Sequence, residues 1–359
     1  MVNSRKLVLP GHYIQGKGAI YHLGQMGRPL GTRAYVIGGA TALSVAGDRV
    51  RRSLESNGIQ ACAWLDDVKD CTPSTIERLV AVGSKARPHF VVGVGGGRAV
   101  DTAKAVAWKL GVPAITVGTQ CATNADGSAE AVVYTDDHKF LDVYILPENP
   151  VAVIEDTEII AAAPPKYLVW GMGDALSTKF ESEAFAEAAS KRGDGRVTTS
   201  VALALANLCY DTLMVKGVQA VKDLRKGIHS SDVDDVIEAV KFSSAVAFEN
   251  TGCALAHALH NGLTRTGQIK GEHGEIVAYC TIVQAVYEGR PDEEVHAMVE
   301  WCTKVGLPTR MEPLGSPSKA MLRKAAEYAC GPETGARNMP ERPRPTELLK
   351  VIDRVERGV

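Results

Sequence analysis

The chain has little net charge. Its 359 residues sum to a formal −2, which removes any electrostatic case for nucleic acid or an anionic membrane as partner. Eight cysteines, at 62, 71, 121, 209, 253, 280, 302 and 330, include no C-x-x-C pair. Neither a zinc ribbon nor a dense disulfide framework is therefore indicated, and free thiols in a reducing cytoplasm are expected. The opening MVNSRKLVLPG lacks the apolar core of a signal peptide, and no run of about 18 apolar residues is available to span a bilayer. A cytoplasmic protein is the expectation. There is no Walker A motif, and G-x-G-x-x-G is incomplete, because Gly93 and Gly95 would need a third glycine where Arg98 stands.

What is present fits a soluble globular protein. A hydrophobic fraction of 45% with 23% charged residues is ordinary for such a protein, and the length allows two domains with sizeable cores. Up to about residue 160, short β-rich runs alternate with helical stretches. Ala34–Ile37, Gln60–Leu65 and Pro113–Val117 read as strands, and Ser74 with Glu77 as a capping box for the helix between the last two. This alternation implies a parallel sheet covered on both faces. Ala131–Thr135, Phe140–Ile145 and Val151–Ile154 read as a β-ribbon added to it. Pro164 and Pro165 then interrupt the pattern, which places the domain boundary between 1–163 and 164–359.

Beyond the boundary the pattern is helical, over 166–190, 195–225, 231–263, 272–288, 291–305, 317–329 and 345–357. Ser231 with Asp234 marks a start, and Gly227, Gly262 and Gly306 mark ends. No repeat period is visible, so a bundle is expected. The fold class is an α/β domain with a parallel sheet followed by an all-α domain, and a cleft between two such domains is a common place for chemistry.

Two features carry function. The first is HFVVGVGGGRAVDTAKAVA, residues 89–107, where a buried strand runs into Gly95, Gly96 and Gly97 and a helix starts at once. A turn without Cβ atoms lets a ligand lie against the backbone, and the amides of the following helix suit a phosphate. Close packing of helix on strand would also use glycines. The second feature is a set of polar residues in apolar surroundings: Asp174 in WGMGDAL, His257 and His260 in CALAHALHNG, and His273 in GEHGE. Taken singly, these are a helix-terminal carboxylate, core histidines and a capping residue. Taken jointly, one carboxylate and two imidazoles form a three-ligand set that leaves a position open on Zn²⁺ or Fe²⁺.

GGGRAVDTAK, YLVWGMGDALSTKFE, CALAHALHNG and GEHGEIVAYC, in this order, resemble the glycerol dehydrogenases of the iron-type polyol and alcohol dehydrogenase family. The resemblance covers nearly the whole chain. It implies a dehydroquinate synthase-like fold, with an N-terminal dinucleotide-binding domain and a helical metal-binding domain. By motif position it implies Asp174, His257 and His273 as metal ligands and His260 beside them. It further implies Gly95, Gly96, Gly97 and Asp101 as cofactor contacts, with Thr119, Ser128 and Tyr134 as additional ones. The iron-binding members carry a fourth ligand, a histidine, one helical turn after the aspartate. Here that position is Thr178, which favours zinc.

Two positions depart from the family pattern. Asn124, in TNADGS, replaces an acidic residue that faces the substrate, and the first strand ends in Gly38-Gly39 where an aspartate often accepts from the adenosine ribose. The expectation is a homo-oligomeric, metal-dependent NAD enzyme, with NADP as a second cofactor, that oxidises glycerol, a small vicinal diol or a 2-hydroxy compound. A sugar-phosphate lyase of the dehydroquinate synthase type is the alternative.

Overall fold

Runs of apolar residues without interleaved charge, such as FVVGVG at 90–95, need cover on both faces. They form the middle of a six-stranded sheet in the computed structural model, which describes residues 5–192 and 197–359. The strands are β1 Tyr13–Gly16, β2 Arg33–Gly38, β3 Gln60–Leu65, β4 Phe90–Gly95, β5 Ala114–Gly118, β6 Glu130–Tyr134, β7 Phe140–Ile145 and β8 Ala152–Asp156. The sheet order is β1-β8-β5-β4-β2-β3, with every neighbouring pair parallel. Side chains alternate between its faces. Phe90, Val92 and Val94 enter one core cluster and Val91 enters the other. Helices α1 Leu23–Gly27, α2 Ala40–Ser56, α3 Pro73–Ala86, α4 Gly97–Leu110 and α5 Thr157–Ala162 complete this part of the chain.

Three expectations are corrected here. The run at 151–154 is not part of the ribbon. As β8 it lies inside the parallel sheet between β1 and β5, and every residue of it is buried. The ribbon is β6 with β7 alone, antiparallel. Helix α3 is capped by Thr72, whose hydroxyl accepts from the Thr75 amide, with Pro73 in the first position. Proline is preorganised there and has no N–H to leave unsatisfied. Strand β1 is an edge strand that the pattern did not reveal.

The chain divides into two compact units, Val8–Tyr167 with Gly227–His229, and Leu168–Lys226 with Ser230–Val359. The second is helical: α6 Lys166–Ala175, α7 Ser177–Arg192, α8 Ser200–Arg225, α9 Ser231–Glu238, a π-helical stretch Ala239–Ser244, α10 Ala245–Thr251, α11 Leu255–Thr264, α12 His273–Tyr287, α13 Asp292–Val305, α14 Lys319–Ala329 and α15 Pro345–Arg357. The stretch read as one helix over 166–190 is therefore two. The stretch read as 231–263 breaks at Gly252, whose φ of 86° stops α10 and lets α11 start afresh. Gly262 lies within α11 and not at its end. A Cβ there would sit 2.4 Å from the Ala325 carbonyl oxygen, so this glycine permits close approach of α14. The start near Ser231 is capped differently: Ser230 is the N-cap residue, and its hydroxyl donates to Asp223. The helix expected from 195 begins at Ser200 after the Thr199 cap, and residues 195 and 196 lie outside the described residues. By length and composition α8 is apolar enough to cross a membrane, contrary to the expectation from run length, which Asp211 and Lys216 interrupt. Its inner face, including Ala206, Cys209 and Leu213, is buried in the helical unit. None of the eight cysteines forms a disulfide.

Candidate functional site

The helical unit brings Asp174, His257 and His273 together. Asp174 lies in the last turn of α6 and is almost completely buried. His257 is in the first turn of α11, directly after the Gly252 break, and His273 opens α12. Close backbone contact sets the spacing of α6 and α12: a Cβ on Gly274 would fall 1.7 Å from the Trp170 carbonyl oxygen, and one on Gly173 would fall 2.3 Å from the Gly274 carbonyl oxygen. Neither position tolerates a side chain without movement. The result is convergence on a single oxygen, since His257 Nε2 and His273 Nε2 each lie 3.3 Å from Asp174 Oδ1. All three ligand atoms fall within 4.8 Å of one another. One buried carboxylate and two imidazole nitrogens at this spacing fit a divalent transition metal with an open position.

The far side of each ring is also held. His257 Nδ1 is 2.7 Å from Glu181 Oε2, and His273 Nδ1 is 3.1 Å from His260 Nε2, whose own Nδ1 is 2.9 Å from Asn261 Oδ1. His260 thus reaches the group through His273. Burial opposes charge on His257, but the neighbouring Cys253, Glu181 and Asp174 outweigh it and hold the imidazole well above its ordinary pKa. Burial also disfavours the Asp174 carboxylate, yet His273 and His257 outweigh it and hold the carboxyl far below the usual range. For His260 burial prevails, assisted by its two histidine neighbours, and the ring stays neutral. The Thr178 hydroxyl is 3.0 Å from that of Ser244 in the π-helical stretch and is buried with it. Glu181 belongs to the same motif as Asp174, but sequence reasoning did not single it out. The signal available was a carboxylate two helical turns on from Asp174, on the same side.

In the first unit the glycine turn lies where the sheet order reverses. The chain passes outward from β2 to β3, then returns to the other side of β2 as β4 and continues to β5. At such a switch point a crevice opens at the carboxyl ends of the strands. Gly95 has a φ of 149°, which favours glycine, and Gly96 caps α4. The Thr119 amide donates to the Gly95 carbonyl and ties the end of β5 to this turn. A Cβ on Gly96 would meet Gln120 Nε2 at 2.1 Å and one on Gly97 would meet Thr123 Oγ1 at 2.9 Å, so these two glycines also admit protein side chains.

Asp101 and Lys104 face inward as a buried pair 3.0 Å apart. Asp101 accepts from the Val132 amide. Lys104 donates to the carbonyls of Ala125, Ser128 and Glu130, which fixes the segment from 125 to 132 onto α4. Ser128 is buried beside Lys104, and the Tyr134 ring is half-buried with the Arg98 guanidinium 5.9 Å from its centre. Asn124 is half-buried, and Asp126 is completely buried, its carbonyl accepting from Thr116. Gly39 caps α2 and forms an isolated bridge with Asp67.

A glycine turn at the switch point of a parallel sheet and a buried Asp/His/His group define the class of metal-dependent nicotinamide dehydrogenases. Residues 10–157 match the model of iron-containing alcohol dehydrogenases. The chain is 37% identical over 346 residues to a glycerol dehydrogenase of Escherichia coli O6:H1, covering 96% of this chain and 94% of the relative. It is 33% identical over 324 residues to a glycolaldehyde reductase of Halobacterium salinarum, covering 89% and 88%. A probable glycerol dehydrogenase structure from Sinorhizobium meliloti 1021 superposes with a TM-score of 0.88 at 34% identity, covering 99% of each chain. The chain belongs to the iron-containing alcohol dehydrogenase family, among its glycerol dehydrogenase-like members.

Proposed function

We propose that the protein is an NAD-dependent dehydrogenase of glycerol or a related small vicinal diol, with zinc as its metal and Fe²⁺ as the alternative occupant. The observation that carries this reading is the convergence of both histidine Nε2 atoms on Asp174 Oδ1. Asp174, His257 and His273 would hold the metal. The hydroxyl of Thr178, engaged with Ser244, stands where iron-binding members have a further histidine, so three protein donors favour zinc. A divalent ion held there supplies Lewis acidity, which lowers the pKa of a substrate hydroxyl and eases departure of hydride from the carbinol carbon to C4 of the nicotinamide. The protein supplies position and a sheltered surface, to which the Phe248 ring, centred 6.1 Å from that of His257, contributes. The glycine turn, with Thr119, Ser128, Tyr134 and Asp101 around it, serves the cofactor.

Gly39 can neither accept from a ribose 2′-OH nor repel a 2′-phosphate, and the nearby Asp67 is paired with Arg78 at 3.0 Å. Discrimination against NADP is therefore weak, but no arginine follows Gly39 directly to favour a 2′-phosphate, so NAD is preferred with measurable NADP activity. A cytoplasmic homo-oligomer completes the proposal, supported by exposed Val201, Leu208 and Val215, which recur every seven residues along α8. The lyase alternative gains no support from the relatives reported above, which are named as dehydrogenases and a reductase.

The test is a panel of vicinal diols, 2-hydroxy acids and their carbonyl counterparts, assayed with NAD and NADP after zinc loading. Asn124 is neutral and can donate as well as accept, so a substrate carboxylate is tolerated, and Asn124→Asp should shift kcat/KM towards glycerol. An unchanged ratio of diol to acid activity removes Asn124 from specificity. Absence of diol activity under any loading removes the proposed substrate class.

A further inference from the structure

Glu181 is 1% exposed, and a carboxylate taken so completely out of water must find donors. It has three. Oε1 accepts from the backbone amides of Ala254, at 2.7 Å, and His257, at 3.0 Å, and Oε2 faces His257 Nδ1 at 2.7 Å. The two amides are those of the N-cap residue Ala254 and of the first turn of α11, where a negative charge is favoured by the helix dipole and by otherwise unsatisfied N–H groups. A single side chain on α7 therefore fixes both where α11 starts and how the ring on its first turn is turned. Because an ionised carboxylate only accepts, the hydrogen between Glu181 and His257 lies on Nδ1. Nε2 is then the ring nitrogen that faces Asp174, and it is the one that gives up its proton when an ion binds.

Cys253, Glu181 and His257 also lie within 4.8 Å of one another and could be taken for a second metal group. With both Glu181 oxygens already facing N–H donors, the carboxylate is better suited to holding His257 than to binding an ion. We propose that Glu181 is a positioning residue: it sets the tautomer and orientation of His257 and so presets the metal site before the ion arrives. This rests on the metal reading above. The physical gain is preorganisation, since a ring already held in the ligating orientation, with the hydrogen on Nδ1 retained, loses little freedom when the metal binds.

Glu181→Gln is the discriminating variant. A carboxamide has one acceptor oxygen, which the two backbone amides retain. Its NH₂ then meets Nδ1, which must become an acceptor, and the hydrogen moves to Nε2, where it blocks ligation. Zinc affinity of the protein, measured by competition with a chromogenic chelator, should fall about 10- to 100-fold. NAD affinity, read by fluorescence quenching, should stay within twofold of wild type. Nitrogen-15 NMR of the wild-type imidazoles gives a second, variant-independent readout, with His257 protonated at Nδ1 in the zinc-loaded protein. Wild-type zinc affinity in Glu181→Gln, or a His257 that lacks hydrogen on Nδ1 in the zinc-loaded wild type, would overturn the proposal. A wild type that takes up no zinc sinks both readings, whereas zinc uptake that needs His257 but not Glu181 sinks only this one.

Discussion

Asp174 Oδ1 faces two histidines with different supports, and this difference makes the residues separable by experiment. His257 contributes Nε2 directly, so His257→Ala leaves two donors, which seldom retain a catalytic zinc. Stoichiometric metal and turnover should both vanish, as metal analysis and an NAD-linked assay would read. His260 is hydrogen-bonded to the group through His273 Nδ1. His260→Ala should keep the metal and weaken its affinity roughly tenfold, the lower end of the range for residues that orient a ligand. Full metal retention in His257→Ala would show that the triad is not the site. In the other unit, Asp101 has a structural part beside the cofactor role proposed for it. Its carboxylate is engaged with Lys104 and Val132, and burial pushes its carboxyl pKa up, against the pull of Lys104.

Between elements, the metal group depends on how closely α6 and α12 approach. Gly173 and Gly274 stand in backbone contact immediately beside Asp174 and His273. Gly274→Ala must push the two helices apart, at a cost of about 1–3 kcal/mol for an overpacked contact. It should also move His273 away from Asp174. Both a lower Tm and a weaker zinc affinity are expected, measured by calorimetry and chelator competition, whereas a loss of Tm with unchanged affinity would mean that the ligands adjust independently of this contact. The strand-turn-helix at 89–107 and the break of polar residues into apolar helices were legible in the sequence because period and composition are local properties. The role of Gly274 was not, since its partner, Trp170, is distant in the chain and no local pattern marks a contact of that kind. The same limit explains why β8 was read as ribbon: a short apolar run is equally compatible with a ribbon and with a sheet centre, and only its long-range pairing with β1 and β5 decides. It explains Glu181 too, whose three donors come from α11, a helix that begins only because Gly252 ends the previous one.

At the scale of the whole molecule, the charges in the triad couple stability to pH, and the sign differs with and without metal. In protein freed of metal by a chelator, the His257 pKa is raised above that of the unfolded chain. Its contribution to stability is then complete below the unfolded value, about 6.5, and is lost as pH rises through the folded value. Asp174 behaves oppositely. Its folded pKa is depressed, so its contribution is complete above the unfolded value, about 3.9, and is lost as pH falls. The metal-free protein should therefore be most stable between these limits and lose Tm on the alkaline side. Zinc needs His257 neutral at Nε2, and a proton there competes with the ion, so apparent zinc affinity rises with pH. Ligand binding stabilises by an amount that grows with the logarithm of the free ligand concentration over Kd. The gap in Tm between zinc-loaded and chelator-treated protein should accordingly widen from about pH 6 to about pH 8.5, either side of the ordinary imidazole value. Thermal scans at fixed ionic strength and fixed free zinc would read it, and His257→Ala should abolish the gap at every pH. A gap of constant size across that range in the wild type would mean that His257 does not exchange a proton for the metal, and the ligand set would have to be sought among groups that remain deprotonated throughout.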